Sequence, residues 1–305
     1  MTSADPAAGG PERGAVLAQV AGFGRQLWKK GAEDDVLFLA GGVAFNILLA
    51  GVPFFLLLAS GLGFALGTSE AASSGAVAAF ITDLFPSGSG GAGSVLDPVI
   101  RDIVRTRGTA GILGAVAFIW FSTRLFGSLG AVFNRVFDVP KGRGILHAKL
   151  FDVWLTVATT MLVVVWIAAS AYIALARTRG VAFLAGLGVH SETVMRPLTY
   201  VTGRLVTFGL LVAVFFALYK VLPFRKVRRQ QALFGALTSA VLFEVARWAF
   251  TWIVYWWNPA TLYTGALAAV IIVVFWVYYG ALIVIIGGEA SQVRERMIAR
   301  RASDE

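Results

Sequence analysis

The sequence predicts an all-α, polytopic membrane protein: one bundle of six transmembrane helices with the N- and C-termini both cytoplasmic. Composition comes first. Hydrophobic residues make up 58% of 305 residues, and 34 glycines lift the apolar share to roughly 69%, against about 45–50% in soluble proteins. Charged residues are only 14% and the mean hydropathy is +0.77. A soluble fold of this length has no interior large enough to hide that surface. The second observation is a series of six long apolar stretches, and the third is the placement of the basic residues between them.

Taken in order, residues 1–11 read as a disordered leader. No apolar core precedes a small-residue cleavage site in this region, so no cleavable signal peptide is expected. From Glu12 onward Val16, Val20, Phe23 and Leu27 recur at helical spacing. Residues 12–35 are therefore expected as an amphipathic helix on the membrane surface, with a plain solvated leader as the alternative. The six apolar stretches are Val36–Gly67, Thr109–Phe133, Leu150–Ala176, Val201–Leu222, Gln231–Trp257 and Tyr263–Gly288. Each exceeds the roughly 20 residues that cross a bilayer as a helix, and together they delimit a transmembrane domain over 36–290. Helices are expected because unpaired backbone groups are not tolerated in hydrocarbon. The first stretch is long, and Gly51 and Pro53 near its middle predict a kink or break, or else a shallow excursion at one end. An outer loop over 68–108 carries two amphipathic stripes, around Phe80 and Ile100. Residues 291–305 form a basic cytoplasmic tail.

Orientation follows from Lys and Arg. Seventeen of the 26 fall in one set of segments: Arg13, Arg25, Lys29 and Lys30; Arg135, Lys141, Arg143 and Lys149; Lys220, Arg225, Lys226, Arg228 and Arg229; Arg294, Arg296, Arg300 and Arg301. The opposite set holds Arg101, Arg105, Arg107, Arg177, Arg179 and Arg196. This dispersal orients a multispanning protein, so the net charge of +9 argues for anionic lipid headgroups at the cytoplasmic face and against nucleic acid.

Several chemistries are excluded. There is no cysteine, hence no disulfide, iron–sulfur cluster or thiolate zinc site. His147 and His190 cannot build a multi-histidine metal centre, and neither a Walker A loop, an HExxH motif nor a nucleotide-binding glycine fingerprint is present. No cofactor, metal or catalytic set is expected. What remains is a buried polar network: Arg124 in span two, and Glu244 and Arg247 on one face of span five, at similar depths of roughly 15–20 Å. Intramembrane charges usually face a bundle interior or water, so Glu244 is expected to contact Arg124, Arg247 or both, as a transport path or a static helix clamp. Asn46 and Asn134 add polar groups, while Asp152 and Glu289 sit near cytoplasmic span ends, where wetting is easy.

The ordered runs Trp120-Phe-Ser-Thr-Arg-Leu-Phe-Gly-Ser-Leu-Gly-Ala-Val-Phe-Asn134, Leu218-Tyr-Lys-Val-Leu-Pro223, Leu242-Phe-Glu-Val-Ala-Arg247 and Tyr263-Thr-Gly-Ala-Leu-Ala-Ala269, through Trp276-Val-Tyr278 to Gly288-Glu289, resemble the YihY/virulence factor BrkB family of inner-membrane proteins. On that resemblance Arg124, Asn134, Pro223, Glu244, Arg247, Tyr263, Gly265 and Glu289 fall on motif positions. Where the family has an aromatic-rich Ala-Tyr-Tyr stretch, this chain has Val43-Ala-Phe-Asn46, so no span-one tyrosine is carried over. The family's old ribonuclease label does not carry over either, because two isolated histidines cannot assemble the metal ligands such hydrolysis needs. The resemblance implies a multi-pass protein of the bacterial cytoplasmic membrane, linked to envelope integrity, serum resistance and lipid export. The expected function is permease-like movement of an amphipathic or lipid envelope component, with a non-transporting membrane scaffold as the alternative. A second copy of the chain or another envelope protein are the protein partners the sequence allows.

Overall fold

The computed structural model describes residues 10–66, 111–139, 150–151, 153–157, 192–223, 225–257 and 266–304. Most of the expected third span, the outer loop, Asp152, Tyr263 and Gly265 lie outside the described residues. The regular elements are helices: α1 (Gly10–Glu33), α2 (Val36–Leu66), α3 (Gly111–Val136), α4 (Glu192–Val221), α5 (Arg229–Trp257) and α6 (Ala266–Asp304), with helical turns at 150–157. No strand occurs among the described residues.

α3, α5 and α6 are each long and apolar enough to cross a bilayer, and a fourth span is reached if α1 and the start of α2 are counted as one bent segment. That bend is 64° and falls at Asp34-Asp35. Asp35 adopts a left-handed φ of 53°, a conformation that aspartate tolerates better than most residues. Its amide reaches back to Ala32 O at 3.4 Å, while its own carbonyl accepts Leu39 N at 3.0 Å. One residue thus closes α1 and opens α2. Further along, α2 runs unbroken through the buried Pro53, so the chain turns before the first apolar stretch and the helix is not broken in its middle.

α6 lies at the centre, packed on α5, α2, α1 and α3, while α2 pairs with α3 and α4 with α5. The core is apolar and rich in small residues: Ala40, Ala232, Ala236, Ala240 and Ala290 are fully sealed beside Phe133, Phe137, Tyr219 and Ile285. On α3 the buried positions Phe118, Ser122, Phe126, Leu129, Phe133 and Val136 recur at the three- and four-residue spacing of a helical stripe. The opposite surface of α5 shows Leu233, Leu237, Val241, Val245, Trp248, Trp252 and Trp256 to the outside. A continuous exposed apolar stripe of that kind suits lipid contact and not water. α6 continues past Gly288 to Asp304, so 291–304 is helical and continuous with the last apolar run; Ser291, Gln292 and Val293 are buried.

Candidate functional site

The intramembrane residues fall into separate places. Arg247 Nη2 donates to Glu244 Oε2 at 2.5 Å, one turn apart on α5 and half-buried. Arg124 is exposed, and has neither an ion pair nor a hydrogen bond among the described residues. The reason is angular: two residues beyond the buried Ser122 is about 200° around a helix, which places Arg124 on the outward stripe with Val116 and Trp120. Asn46 turns back on its own helix and donates to Gly42 O at 2.8 Å. Between α2, α3 and residue 156 lies a cavity of about 160 Å³, lined by Ile47, Gly51, Phe54, Phe118, Phe126 and others, with Ser122 and Thr156 as its polar groups.

The tightest packing is where α4, α5 and α6 cross. Tyr219 OH donates to Val284 O at 2.7 Å and sits 2.5 Å from Ser239 Oγ. The Ser239 hydroxyl is also 3.2 Å from Ile283 O. This clasp closes on Gly287, whose backbone leaves no room for a side chain: a Cβ there would overlap Ser239 Oγ and meet the Tyr219 hydroxyl at 2.5 Å. A Cβ on Gly235 would lie 2.9 Å from Gly287 O. Glycine at both positions is what lets α5 and α6 approach backbone to backbone.

At the end of the bundle where α1, α3 and α6 end and α2 and α5 begin, polar side chains form one connected network. Lys30, in the last turn of α1 and only 6% exposed, is paired with Asp34 and lies 3.6 Å from Asp138 Oδ1. Arg135 holds Asp34 at 3.6 Å and Asp35 at 3.2 Å, and also donates to Glu33 O. Asp138 accepts Gln292 Nε2 at 3.1 Å and is paired with Arg296, both from α6. Gln292 Oε1 accepts Gln231 Nε2 and Arg225 Nη2, each at 3.3 Å, and Arg225 donates to Phe137 O. Four helices, the α1–α2 turn and the α4–α5 connection are tied by these groups.

Asp138 is the hub, and its backbone explains how it is aimed. Val139 N bonds Asn134 O at 2.8 Å and Asp138 N bonds Arg135 O at 3.1 Å, the paired bonds of a Schellman cap. The left-handed position, φ 51°, is occupied by Asp138 and not by the usual glycine. A carboxylate at a helix C-terminus also opposes the helix dipole, so local preference is overridden by the cations around it. Burial pushes the Asp138 carboxyl up, but the Arg296 hydrogen bond, the Lys30 charge and the Gln292 hydrogen bond outweigh it, and the group is held below its ordinary value.

Glu289 sits inside this network, 1% exposed, with Lys30, Asp34 and Asp138 as its charged neighbours. Neither of its oxygens accepts a hydrogen bond. Pro223, the other motif position at this end, is buried after α4. Nearby, Lys220 donates to Val227 O and fixes the turn into α5. The half-buried Asn134 contributes its carbonyl to the α3 cap. Of the residues singled out by sequence, Glu289, Pro223 and Asn134 meet at this base; Arg124 and the Glu244–Arg247 pair stand apart. Sequence reading passed over Lys30, Asp34, Asp138, Gln231 and Gln292. The available signal was two acids, Asp34 and Asp138, placed just past helix ends, where cations are favoured. Among the described residues no group of three His, Asp or Glu side chains is placed to hold a metal ion.

A profile of the virulence factor BrkB family matches residues 27–305. The chain belongs to that family. Among BrkB-family relatives, a UPF0761 membrane protein of Pelodictyon phaeoclathratiforme is 30% identical over 268 residues, covering 86% of this chain and 57% of the relative. The chain thus spans little more than half of that protein. A UPF0761 membrane protein of Haemophilus influenzae is 22% identical over 90% of this chain and 96% of its own length. One of Pseudoalteromonas atlantica is 24% identical, over 86% and 82% respectively. No solved structure matches.

Proposed function

We propose that this BrkB-family membrane protein is a non-enzymatic, permease-like mover of an anionic amphipath, with a lipid of the bacterial envelope as the substrate class. The observation that carries the reading is Arg124. It is a cation on the outward, apolar face of α3, between Trp120 and Ala131, about ten residues from the end of the span. An isolated charge at that depth is costly and is usually retained for function. Arginine binds phosphate through paired hydrogen bonds, so an anionic headgroup drawn along this face would meet its counter-charge part-way across.

Flux of a fluorescent anionic phospholipid in proteoliposomes tests this. A charge-assisted hydrogen bond is worth about 1.5–3 kcal/mol, so Arg124→Ala is expected to slow flux about tenfold or more, with Arg124→Lys in between. A wild-type rate equal to protein-free vesicles would overturn the transport reading and favour a scaffold.

The same reading places six spans in the cytoplasmic membrane with both termini inside. It is supported by the gathering of Lys30, Arg135, Lys220, Arg225, Arg228 and Arg296 at one end of the bundle. Single cysteines at Ser3, Gly142 and Ser303 are expected to label only from the cytoplasm, and one at Ser89 only from outside. No native cysteine interferes. External labelling at Gly142 would overturn the orientation.

A further inference from the structure

We infer that Glu289 is a proton-binding site that holds α1 down on the base of the bundle, so that docking of α1 responds to pH. The inference does not depend on what the protein moves.

Three observations combine. Glu289 is sealed from solvent and both of its oxygens lack a hydrogen-bond donor. It lies just past the apolar run of α6 that ends at Gly288, level with Asp138 and the end of α1. And α1 is held along one side only: Ala21, Gly24, Arg25, Gln26, Trp28 and Lys29 are all exposed, and its described anchors are its packing on α6 and α2, the Phe23–Phe234 ring contact at 6.1 Å, the Arg135 hydrogen bond to Glu33 O and Lys30. The helix that brings Lys30 to Glu289 therefore presents much of its surface to the outside.

The charges acting on this carboxyl are Lys30 from α1, Asp34 from the α1–α2 turn and Asp138 from the end of α3; around them in the network stand Arg135 on Asp34, Arg225 on Gln292 and Arg296 on Asp138. From α4 come Tyr219, tied to Val284 O, and Lys220, tied to Val227 O, and α5 presents the uncharged Gln231. Arg135, Arg225 and Arg296 are engaged with Asp34, Asp35, Asp138 or Gln292, and Lys30 is itself shared between Asp34 and Asp138. Burial of this carboxyl, with the Asp34 side chain against it and Asp138 nearby, outweighs the Lys30 charge and favours the neutral acid while α1 is docked. When α1 lifts, water reaches Glu289 and the carboxylate is hydrated. The docked state accordingly binds more protons than the lifted one. By linkage, docking is fully supported below the ordinary carboxyl range and weakens as pH rises toward the docked-state value.

Spin labels on cysteines at the exposed positions Gln26 and Arg300 report this distance in lipid nanodiscs. From pH about 5.5 to about 8.5, the docked-to-lifted ratio is expected to fall, by at most about tenfold per pH unit for one proton. Glu289→Gln, which imitates the protonated acid, is expected to stay docked at every pH. A wild-type distance that does not change across this range, which requires no substitution at Glu289, would overturn the proposal. So would a Glu289→Gln protein that keeps the wild-type pH dependence.

Discussion

Gly287→Ala is expected to be the most damaging single-methyl change in this protein, while Gly280→Ala, two turns earlier on the same helix, is expected to be harmless. At Gly287 the new Cβ would overlap Ser239 Oγ and press on the Tyr219 hydroxyl, with the Gly235 carbonyl 3.0 Å away. The obstruction is partly backbone, so side-chain movement alone cannot relieve it and α5 must shift from α6. Overpacking of this kind costs about 1–3 kcal/mol, occasionally more, and the loss of the clasp hydrogen bonds adds about 1 kcal/mol each. A Cβ at Gly280 meets nothing within 4 Å, and alanine is the better helix former by about 1 kcal/mol. Thermal unfolding in detergent should show a large drop for the first variant and no loss, or a small gain, for the second. Adding Ser239→Ala to Gly287→Ala should recover part of the drop, because it removes the atom of closest overlap. Equal behaviour of the two glycine variants would show that the crossing is not as tight as described.

Lys30→Gln is the second large effect. The Lys30 and Asp34 side chains are 8% and 12% exposed, and removing one partner of a buried ion pair costs about 3–5 kcal/mol. The lower end applies here, because Asp34 keeps Arg135 and Asp138 keeps Arg296. Pairing Lys30→Gln with Asp34→Asn should cost less than the sum of the single changes, with a coupling of about 0.5–3 kcal/mol in a double-mutant cycle of thermal stability. Simple additivity would mean that the pair contributes nothing through its contact. Arg228, on the same end of the bundle, offers the contrast: its bridge to Glu295 is largely solvated, and Arg228→Gln should leave stability nearly unchanged.

Much of the architecture was legible before any coordinates. An apolar composition requires a membrane, a bilayer requires helices, and the long apolar runs mark where α2, α3 and α5 lie, and where α6 begins, to within a few residues. The Glu244–Arg247 contact could be read from spacing because residues three apart on a helix are neighbours wherever the helix goes. These are properties of a single element in a known solvent.

The pairing of separate elements was not legible. Arg124 and Glu244 were placed together because they share a depth, but depth leaves the rotation of each helix about its axis undetermined. The packing of Phe118, Ser122, Phe126 and Phe133 turned Arg124 outward. Lys30, Asp138 and Gln292 are 108 and 154 residues apart in turn and carry no joint pattern; only the convergence of α1, α3 and α6 makes them one network. That convergence also seals Glu289, which at the end of an apolar span would be expected to be wet. Hydrophobicity acts through each residue's own exposure and so is written along the chain, whereas a buried polar network depends on which helix faces meet, and that is settled by packing between segments far apart in sequence.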